Sequence, residues 1–322
     1  MDLIYTTAKR ADEGVLKAHT FDLSFGAEEN DYELTLGASE PVLEYGAFVY
    51  IEGTEYGGIV DGMRTNTDVE TLTYMGRTWH GIMNSKVIQP DSGQDYFIVS
   101  GDANAILAQL VNRLGLGGLF AAKEEESGIN ISRYQFQRYC KGYDGIRALL
   151  ESNGAKLKIE WKGRKVLLYA ARIDDYTDTP VDGDEATLTG EHHENKVNHL
   201  ICLGRGDLAE REVIHLFVDQ FGRIGNVQYY TGLNEIAETY DNNSAESSEE
   251  LRTEGISQLE QLRNNDSAEI SSPEGRTQAY DIGDIVGASD VRSGVTASAA
   301  VSQKIVKIND GVIKIEYKTG SE

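Results

Sequence analysis

Phe21-Asp22-Leu23-Ser24-Phe25, followed after a polar gap by Tyr32-Glu33-Leu34-Thr35-Leu36, puts an apolar side chain at every second position. Alternation of this kind marks strands with one buried face. Asn30-Asp31 and Gly37-Ala38-Ser39 supply turn chemistry between the runs. Working outward, Phe48, Tyr50, Ile59, Val60, Val69, Leu72 and Tyr74 continue the pattern, and Gly53, Gly57, Gly58 and Gly62 punctuate it. Short strands between glycine turns predict an antiparallel barrel or sandwich at the start of the chain.

Further along, the period changes. Ala103, Ile106, Leu107, Leu110, Val111 and Leu114 form one stripe at helical spacing, with Asp102 placed to cap its start and Gly115 its end. A second helix is expected over 143–153, where Ile146, Leu149 and Leu150 share a face and Gly154 is the stop. Strands over 156–161 and 165–170 follow, joined by Lys162-Gly163-Arg164. Loop-like Pro90-Asp91-Ser92-Gly93 and Pro180-Val181-Asp182-Gly183-Asp184 bound this α/β stretch.

From 195 strand patterns return, over 197–203, 212–218 and 226–231. A polar run from Asp241 to Ser248 then leads into a helix at about 247–264. Ser247 and Glu250 have capping-box spacing there, and Leu251, Gly255, Leu259 and Leu262 give a narrow stripe. Strands over 282–286, 299–308 and 312–317 close the chain, the last two joined by Asn309-Asp310-Gly311. The expected class is α+β, mainly β. A first β-barrel is expected over 1–85, an inserted α/β domain over 86–190, and a second, related β-barrel over 191–322 carrying the helix at about 247–264.

The chain has 322 residues and a net charge of −23, from 30 Lys plus Arg against 53 Asp plus Glu. Such a surface repels phosphate backbones and anionic membranes, which argues against ordinary nucleic-acid binding. The two cysteines, Cys140 and Cys202, form no CxxC and no disulfide framework, and fit a reducing compartment. The N-terminus has no apolar signal region, and no run of ~18 apolar residues occurs. Synthesis in a cytoplasm, without membrane insertion, is expected.

Chemistry-bearing motifs are scarce. There is no HExxH, GxSxG or P-loop. Among six histidines (His19, His80, His192, His193, His199 and His215), the densest polar cluster is Glu191-His192-His193-Glu194. Adjacent histidines on a strand face opposite ways, so a solvated linker is the default over a metal site. Gly204-Arg205-Gly206-Asp207-Leu208-Ala209 fits GxGxxA, but a dinucleotide site needs a helix to begin there, and 212–218 reads as a strand. A hairpin connection is expected, with the Arg205-Gly206-Asp207 triplet a chance match. Glu124-Glu125-Glu126 reads as a solvated loop, and the pair Asp174-Asp175 says nothing without a cleft. In Arg77-Thr78-Trp79-His80-Gly81, a Trp beside a His suits a sugar platform, but a Trp filling the seam between barrel and insert is the commoner arrangement. No catalytic, cofactor-binding or metal residue is assigned, and no cofactor is expected.

The order of segments resembles a known family. Gly76-Arg77-Thr78-Trp79-His80-Gly81-Ile82-Met83 followed by Val87-Ile88-Gln89-Pro90 resembles the junction where hub proteins of long-tailed phages leave the first barrel for the insert. Asn195-Lys196-Val197-Asn198-His199-Leu200 resembles the start of the second barrel. Residues 212–219 with Phe221-Gly222 resemble its next hairpin. Tyr280-Asp281-Ile282-Gly283-Asp284-Ile285-Val286 resembles the family's Y-x-I-G-D-x-V strand, followed by a strand over 301–308 and a closing one ending Tyr317-Lys318-Thr319-Gly320. The ordered set covers nearly the whole chain. It is similar to the Gp37-like tail-tip and baseplate hub proteins of siphovirus-type phages and prophages, distant kin of contractile-tail hubs.

The resemblance implies a structural, non-enzymatic hub subunit at the virion tail tip. It implies two small barrels side by side in each subunit and three subunits in a pseudo-sixfold ring that continues the tail tube. The implied partners are further copies in a trimer, a distal tail protein and a tape-measure protein, with DNA passing without specific binding. An acidic lumen that does not bind phosphates suits that passage, and because screening confines each charge's reach to ~8–10 Å, only lumen-facing acids would matter. The end of the chain at Glu322, just past the last strand, leads to the expectation of a hub alone, without fibre or hydrolase. Two other functions stay open. A tail-associated peptidoglycan hydrolase needs a cleft with two converging acids or a metal. A receptor- or carbohydrate-binding tail module needs exposed stacking surfaces from Trp79, Trp161 or some of the 17 tyrosines.

Overall fold

The N-terminal alternation folds into adjacent strands. A computed structural model describes residues 2–17, 19–66, 68, 71–181, 187–191, 196–245, 247–263, 267–271, 279–289, 296–309 and 311–320. Its first elements are β1 (Leu3–Thr6), β2 (Asp12–Leu16), β3 (His19–Gly26), β4 (Asp31–Gly37), β5 (Phe48–Tyr50), β6 (Gly57–Ile59), β7 (Gly62–Asn66) and β8 (Thr71–Arg77). β1 pairs with β2 and β5, and β5 with β6. β3 pairs with β4, β4 with β8 and β8 with β7, all antiparallel. Phe21, Leu23, Phe25, Tyr32, Leu34 and Leu36 all point into one core with Leu3, Leu16, Val49 and Tyr74. Burying each large side chain contributes about 1.5–3 kcal/mol, so a one-residue slip, which turns the whole set to solvent, is strongly disfavoured.

Next come α1 (Trp79–Asn84), β9 (Val87–Ile88), β10 (Ile98–Asp102), α2 (Ala103–Arg113), β11 (Phe120–Ala122), β12 (Asn130–Gln135), β13 (Cys140–Lys141), α3 (Gly142–Glu151), β14 (Ala155–Lys162) and β15 (Lys165–Arg172). α2 starts where Asp102 accepts from the Asn104 N–H at 2.9 Å, and its stripe buries Ile106, Leu107 and Leu110. β14 and β15 pair through Lys162 and Lys165, and the two residues between, Gly163 and Arg164, both have positive φ (58° and 70°). That is the backbone twist a two-residue hairpin turn requires. α1 follows β8 directly, with Thr78 alone between them. Thr78 caps it, because its hydroxyl accepts from the Gly81 N–H at 3.3 Å. Phe48 and Tyr50 of β5 and Trp79 of α1 share one core with α2, α3, β14 and β15, so the α/β stretch packs directly on the N-terminal strands.

β16 (Asp175–Val181) and β17 (Thr187–Glu191) precede β18 (His199–Leu203), β19 (Val213–Val218), β20 (Ile224–Gly225), β21 (Ala237–Asp241) and α4 (Ser248–Arg263). β22 (Ser267–Ser271), β23 (Ile285–Ser289), β24 (Thr296–Asn309) and β25 (Val312–Thr319) end the chain. The chain divides into two compact units, Gly190–Ala268 and the residues on either side of it.

Within the larger unit, the first half of β24 pairs with β23 and the second half with β3, while β25 runs along its other edge. β16 pairs in parallel with β23. Val306 and Ile308 of β24 enter the N-terminal core, whereas Tyr280, Val286, Val301 and Tyr317 form a separate small core with Tyr176. These units cut across the expected segments 1–85, 86–190 and 191–322. β16, placed by sequence in the insert, joins the C-terminal strands, and the last strands reach back to β3.

In the smaller unit β18 pairs antiparallel with β19 and parallel with β21. α4 begins as expected, with the Ser247 hydroxyl accepting from the Glu250 N–H at 3.2 Å. It covers this sheet through Leu251 and Leu259 against Leu200, Cys202 and Leu216. A Cβ at Gly255 would meet Cys202 Sγ at 2.4 Å and Leu216 Cδ1 at 3.0 Å, so glycine sets how closely the helix lies on the strands.

Two expected strands are corrected. Residues 226–231 are irregular, with Val227 81% and Tyr229 51% exposed: their alternation meets no neighbouring strand to cover it. Residues 282–283 form a turn in which Gly283 has φ 97°, and β23 starts only at Ile285. Met1, Val69, Asp182-Gly183-Asp184, the Glu191-His192-His193-Glu194 side chains, Asn195 and Asp310, singled out in the sequence, lie outside the described residues.

Candidate functional site

The two motifs at 76–83 and 280–286 converge on one buried seam in the larger unit, and nearly every residue of the first has a structural task. A Cβ on Gly76 would lie 1.8 Å from the Ile59 carbonyl oxygen, so β8 passes β6 only with glycine there. Arg77 grips Asp61 with a fork, Nε to Oδ2 at 2.7 Å and Nη2 to Oδ1 at 2.8 Å. Thr78 caps α1 and also donates its hydroxyl to the Asn30 carbonyl at 3.0 Å. Trp79, fully buried, stacks on Trp161 of β14 with ring centres 5.2 Å apart and meets Phe48 edge-on. It is thus the seam filler, and neither tryptophan is available to a sugar.

His80 stacks flat on Phe25 of β3 at 4.3 Å and meets Tyr143 of α3 edge-on. Burial first, then the nearby Lys304 and Arg147 cations, hold its imidazole down at about 3. His80 is therefore neutral at physiological pH, and its 3.8 Å approach to Glu55 is not an ion pair.

The second motif is a turn that holds charge. Asp284, with no exposed surface, accepts from Lys156 Nζ at 2.6 Å and from the backbone N–H groups of Asp174 and Asp281 at 3.0 and 2.8 Å. Lys156 also reaches Asp174 at 2.7 Å and Asp281 at 3.1 Å, and Lys158 reaches Asp281 at 2.6 Å. On β24, buried Lys304 binds Glu55 at 2.6 Å and lies 3.8 Å from Asp281. Burial alone would depress both ammonium groups. The carboxylates outweigh it: Asp174, Asp284 and Asp281 at Lys156, and Glu55 foremost at Lys304, hold both above their ordinary range. Burial likewise works against the Asp281 charge, yet Lys158, Lys304 and Lys156 hold its carboxyl below the usual range.

This set can fix surfaces but offers little to a substrate. Removing one partner from a buried pair costs about 3–5 kcal/mol, whereas the intact pair adds little net stability over apolar packing. What it adds is registry: Lys156 and Lys158 on β14 are matched by the acids of the turn at 281–284 and by Asp174 after β15. Sequence reasoning saw residues 282–286 as a strand and missed the pairing. Lys156 and Lys158 alternate with Ala155, Leu157 and Ile159 on β14 just as Glu160 and Lys162 do, so only the burial of Lys156 in the folded chain shows that it needs an acid.

The remaining candidates are accounted for separately. Asp174 belongs to the lysine network and Asp175 accepts from Thr177, so the acidic pair faces no shared cleft. Glu124 to Glu126 lie on a loop pinned by Asn104 and Asp102, through the Glu125 carbonyl and Ser127. Residues 204–209 join β18 to β19 with a short 3-10 turn, Leu208–Glu210, and no α-helix begins there. A cleft of about 650 Å³ opens on the outer face of β3, β4 and β8, where Asp22, Asp31 and Glu33 line it beside the Arg77–Asp61 pair. Burial, then the charges of Glu29 and Glu33, raises the Asp31 carboxyl above its ordinary value. Among the described residues, no three ligating side chains converge on a metal position, and no helix is long and apolar enough to cross a membrane.

No protein-family model and no characterised protein sequence matches the chain. Solved structures do match its fold over almost the full length. The 43 kDa tail protein of prophage MuSo2 from Shewanella oneidensis superposes with TM-score 0.62 at 12% identity, covering 99% of this chain and 98% of that one. Prophage tail protein gp18 from Listeria monocytogenes gives 0.56 at 12% identity, covering 100% and 95%. A chain of the phage P2 baseplate gives 0.50 at 11% identity, covering 96% and 90%. The chain has the fold of these tail proteins.

Proposed function

We propose that this chain is a structural hub subunit of a phage or prophage tail tip or baseplate, acting by geometry and not by catalysis. One observation carries the reading: the fold of a prophage tail protein is matched from end to end, over 99% of this chain and 98% of that one. The motifs that resemble hub proteins support it from another side, because their residues build the seam that fixes the α/β stretch to the strands. The groups around the two β cores, joined by β24, are the candidates for the two side-by-side barrels. Three subunits then form the ring, with a distal tail protein and a tape-measure protein as neighbours and DNA passing through. The net charge of −23 suits a channel that must not hold phosphate.

The test is assembly. The purified chain is mixed with the distal tail protein from the same tail gene cluster and imaged by electron microscopy. Threefold rings with an open centre are expected, together with no release of reducing sugar or free amine from purified cell wall. A chain that stays monomeric with that partner, or that digests the wall, overturns the proposal.

A further inference from the structure

Two surfaces of the larger unit hold unbalanced charge of opposite sign, and neither serves the buried seam. The first is the cleft of about 650 Å³ on the outer face of β3, β4 and β8, which Asp22, Glu29, Asp31 and Glu33 line together with Met75 and Ile305. Asp22 stands directly opposite Glu33 across the β3–β4 pair, and like charges in that position cost stability. Arg64 meets Glu33 at 3.4 Å in solvent, Lys307 lies opposite Asp22 on β24, and Arg77 is taken up by Asp61. Even so, Asp22 Oδ1 is buried and has no hydrogen-bond partner among the described residues.

The second surface is the tip of the β14–β15 hairpin, where Lys162, Gly163, Arg164 and Lys165 are all exposed. Lys162 and Lys165 face each other across the pair, again like against like. Among the described residues the three basic side chains have one hydrogen-bond partner, the Gly117 carbonyl at 3.2 Å from Lys165 Nζ. The imbalance extends beyond the hairpin. Residues 86–172 carry 13 Lys plus Arg against 9 Asp plus Glu, and the rest of the chain carries 17 against 44.

These surfaces lie on opposite sides of the unit. The inner face of β3, β4 and β8 packs through Leu23, Leu34 and Tyr74 on Val49 of β5. Alternation along β5 turns Phe48 and Tyr50 the other way, onto Trp161 of β14 at ring distances of 6.0 and 4.2 Å. The order is therefore cleft, β3–β4–β8, β5, β14. Stacked layers sit ~10 Å apart, so the hairpin tip and the cleft of one copy cannot meet.

We propose that the basic hairpin tip of one copy seats in the acidic cleft of the next. The proposal rests on the hub reading and names the contact by which copies join. A two-residue turn is a narrow protrusion, and the cleft is wide enough to take it. Lys162, Arg164 and Lys165 bring positive charge to Asp22, Glu29, Asp31 and Glu33, and the fork of Arg164 suits a carboxylate. Any other partner would have to bring a base for the cleft and an acid for the hairpin, whereas a second copy brings both. A knob on one side and a socket on the other make a heterologous contact, the kind that closes rings.

Sedimentation of the full chain and of charge-reversed variants tests this. The native chain should self-associate, about tenfold more weakly in ~0.5 M than in ~0.05 M salt. Asp31→Lys with Glu33→Lys makes the cleft basic, and Lys162→Glu with Arg164→Glu makes the hairpin acidic, all at exposed positions. Each double variant alone should stay monomeric. Their equimolar mixture should associate again, because each then matches the other, and that rescue needs both to be folded. A native chain that is monomeric at low salt, an association that either reversal leaves unchanged, or a mixture that stays monomeric overturns the contact. If it falls while rings still form with the distal tail protein, the hub reading stands. If copies join hairpin to cleft and no ring forms with that protein, the contact stands and the hub reading falls.

Discussion

The two units treat their charged groups in opposite ways. The larger one seals Lys156, Lys304 and Asp284 away from water, each at most 4% exposed. The smaller one leaves a hydrogen-bonded line, Glu235–His199–His215, open to solvent at one end. A sealed network has a fixed protonation state and serves as a key between surfaces. An open one stays in contact with solvent at its outer ring. Burial, more than residue type, separates a charge that fixes two surfaces together from polar groups that remain at one.

The largest expected effect breaks the sealed side. Asp284→Ala removes the acceptor for Lys156 and for two backbone N–H groups, and should lower stability by about 3–5 kcal/mol. Chemical denaturation measures this, and a loss below ~1 kcal/mol would show that the network is not sealed. Next comes acid sensitivity of the same seam. His80 has its folded value at about 3 against 6.5 when free, so its contribution is complete above 6.5 and is lost as pH falls toward 3. Stability of the larger unit should drop by a few kcal/mol across that window. His80→Phe should flatten the slope, and a slope unchanged in the variant sinks the assignment. The smallest effect sharpens the other side. Gly255→Ala drives a methyl into Cys202 Sγ and should cost about 1–3 kcal/mol, relieved in the double variant with Cys202→Ala. Equal melting of single and double variants would mean that glycine does not set the helix–sheet distance.

Local structure was legible where the pattern and its punctuation agreed. The period-two runs at 21–36, the stripe from Ala103 to Val111 behind its Asp102 cap, and the turn at Gly163-Arg164 all needed only nearby residues. Partner choice was not legible. Period-two spacing says that a strand has a buried face, not which strand lies beside it, so the pairing of β24 with β3 and of β16 with β23 could not be read. The seam was half legible. Its motifs stood out as a resemblance, yet the ion pair between Lys156 and Asp284 joins residues far apart in sequence, and neither carries a local sign of the other. The apolar alternation at 226–231 misled for the opposite reason, because exposed apolar residues copy the pattern of buried ones.

β24 also has a mechanical consequence. Its 14 residues form one strand that pairs with β23 over Thr296–Ala300 and, past a register shift between Val301 and Gln303, with β3 and β25 together over Gln303–Asn309. A pull along the strand meets those bonds in shear, where they must fail together and not one after another. The same strand belongs to both strand groups, so a load applied to one passes along it into its neighbour.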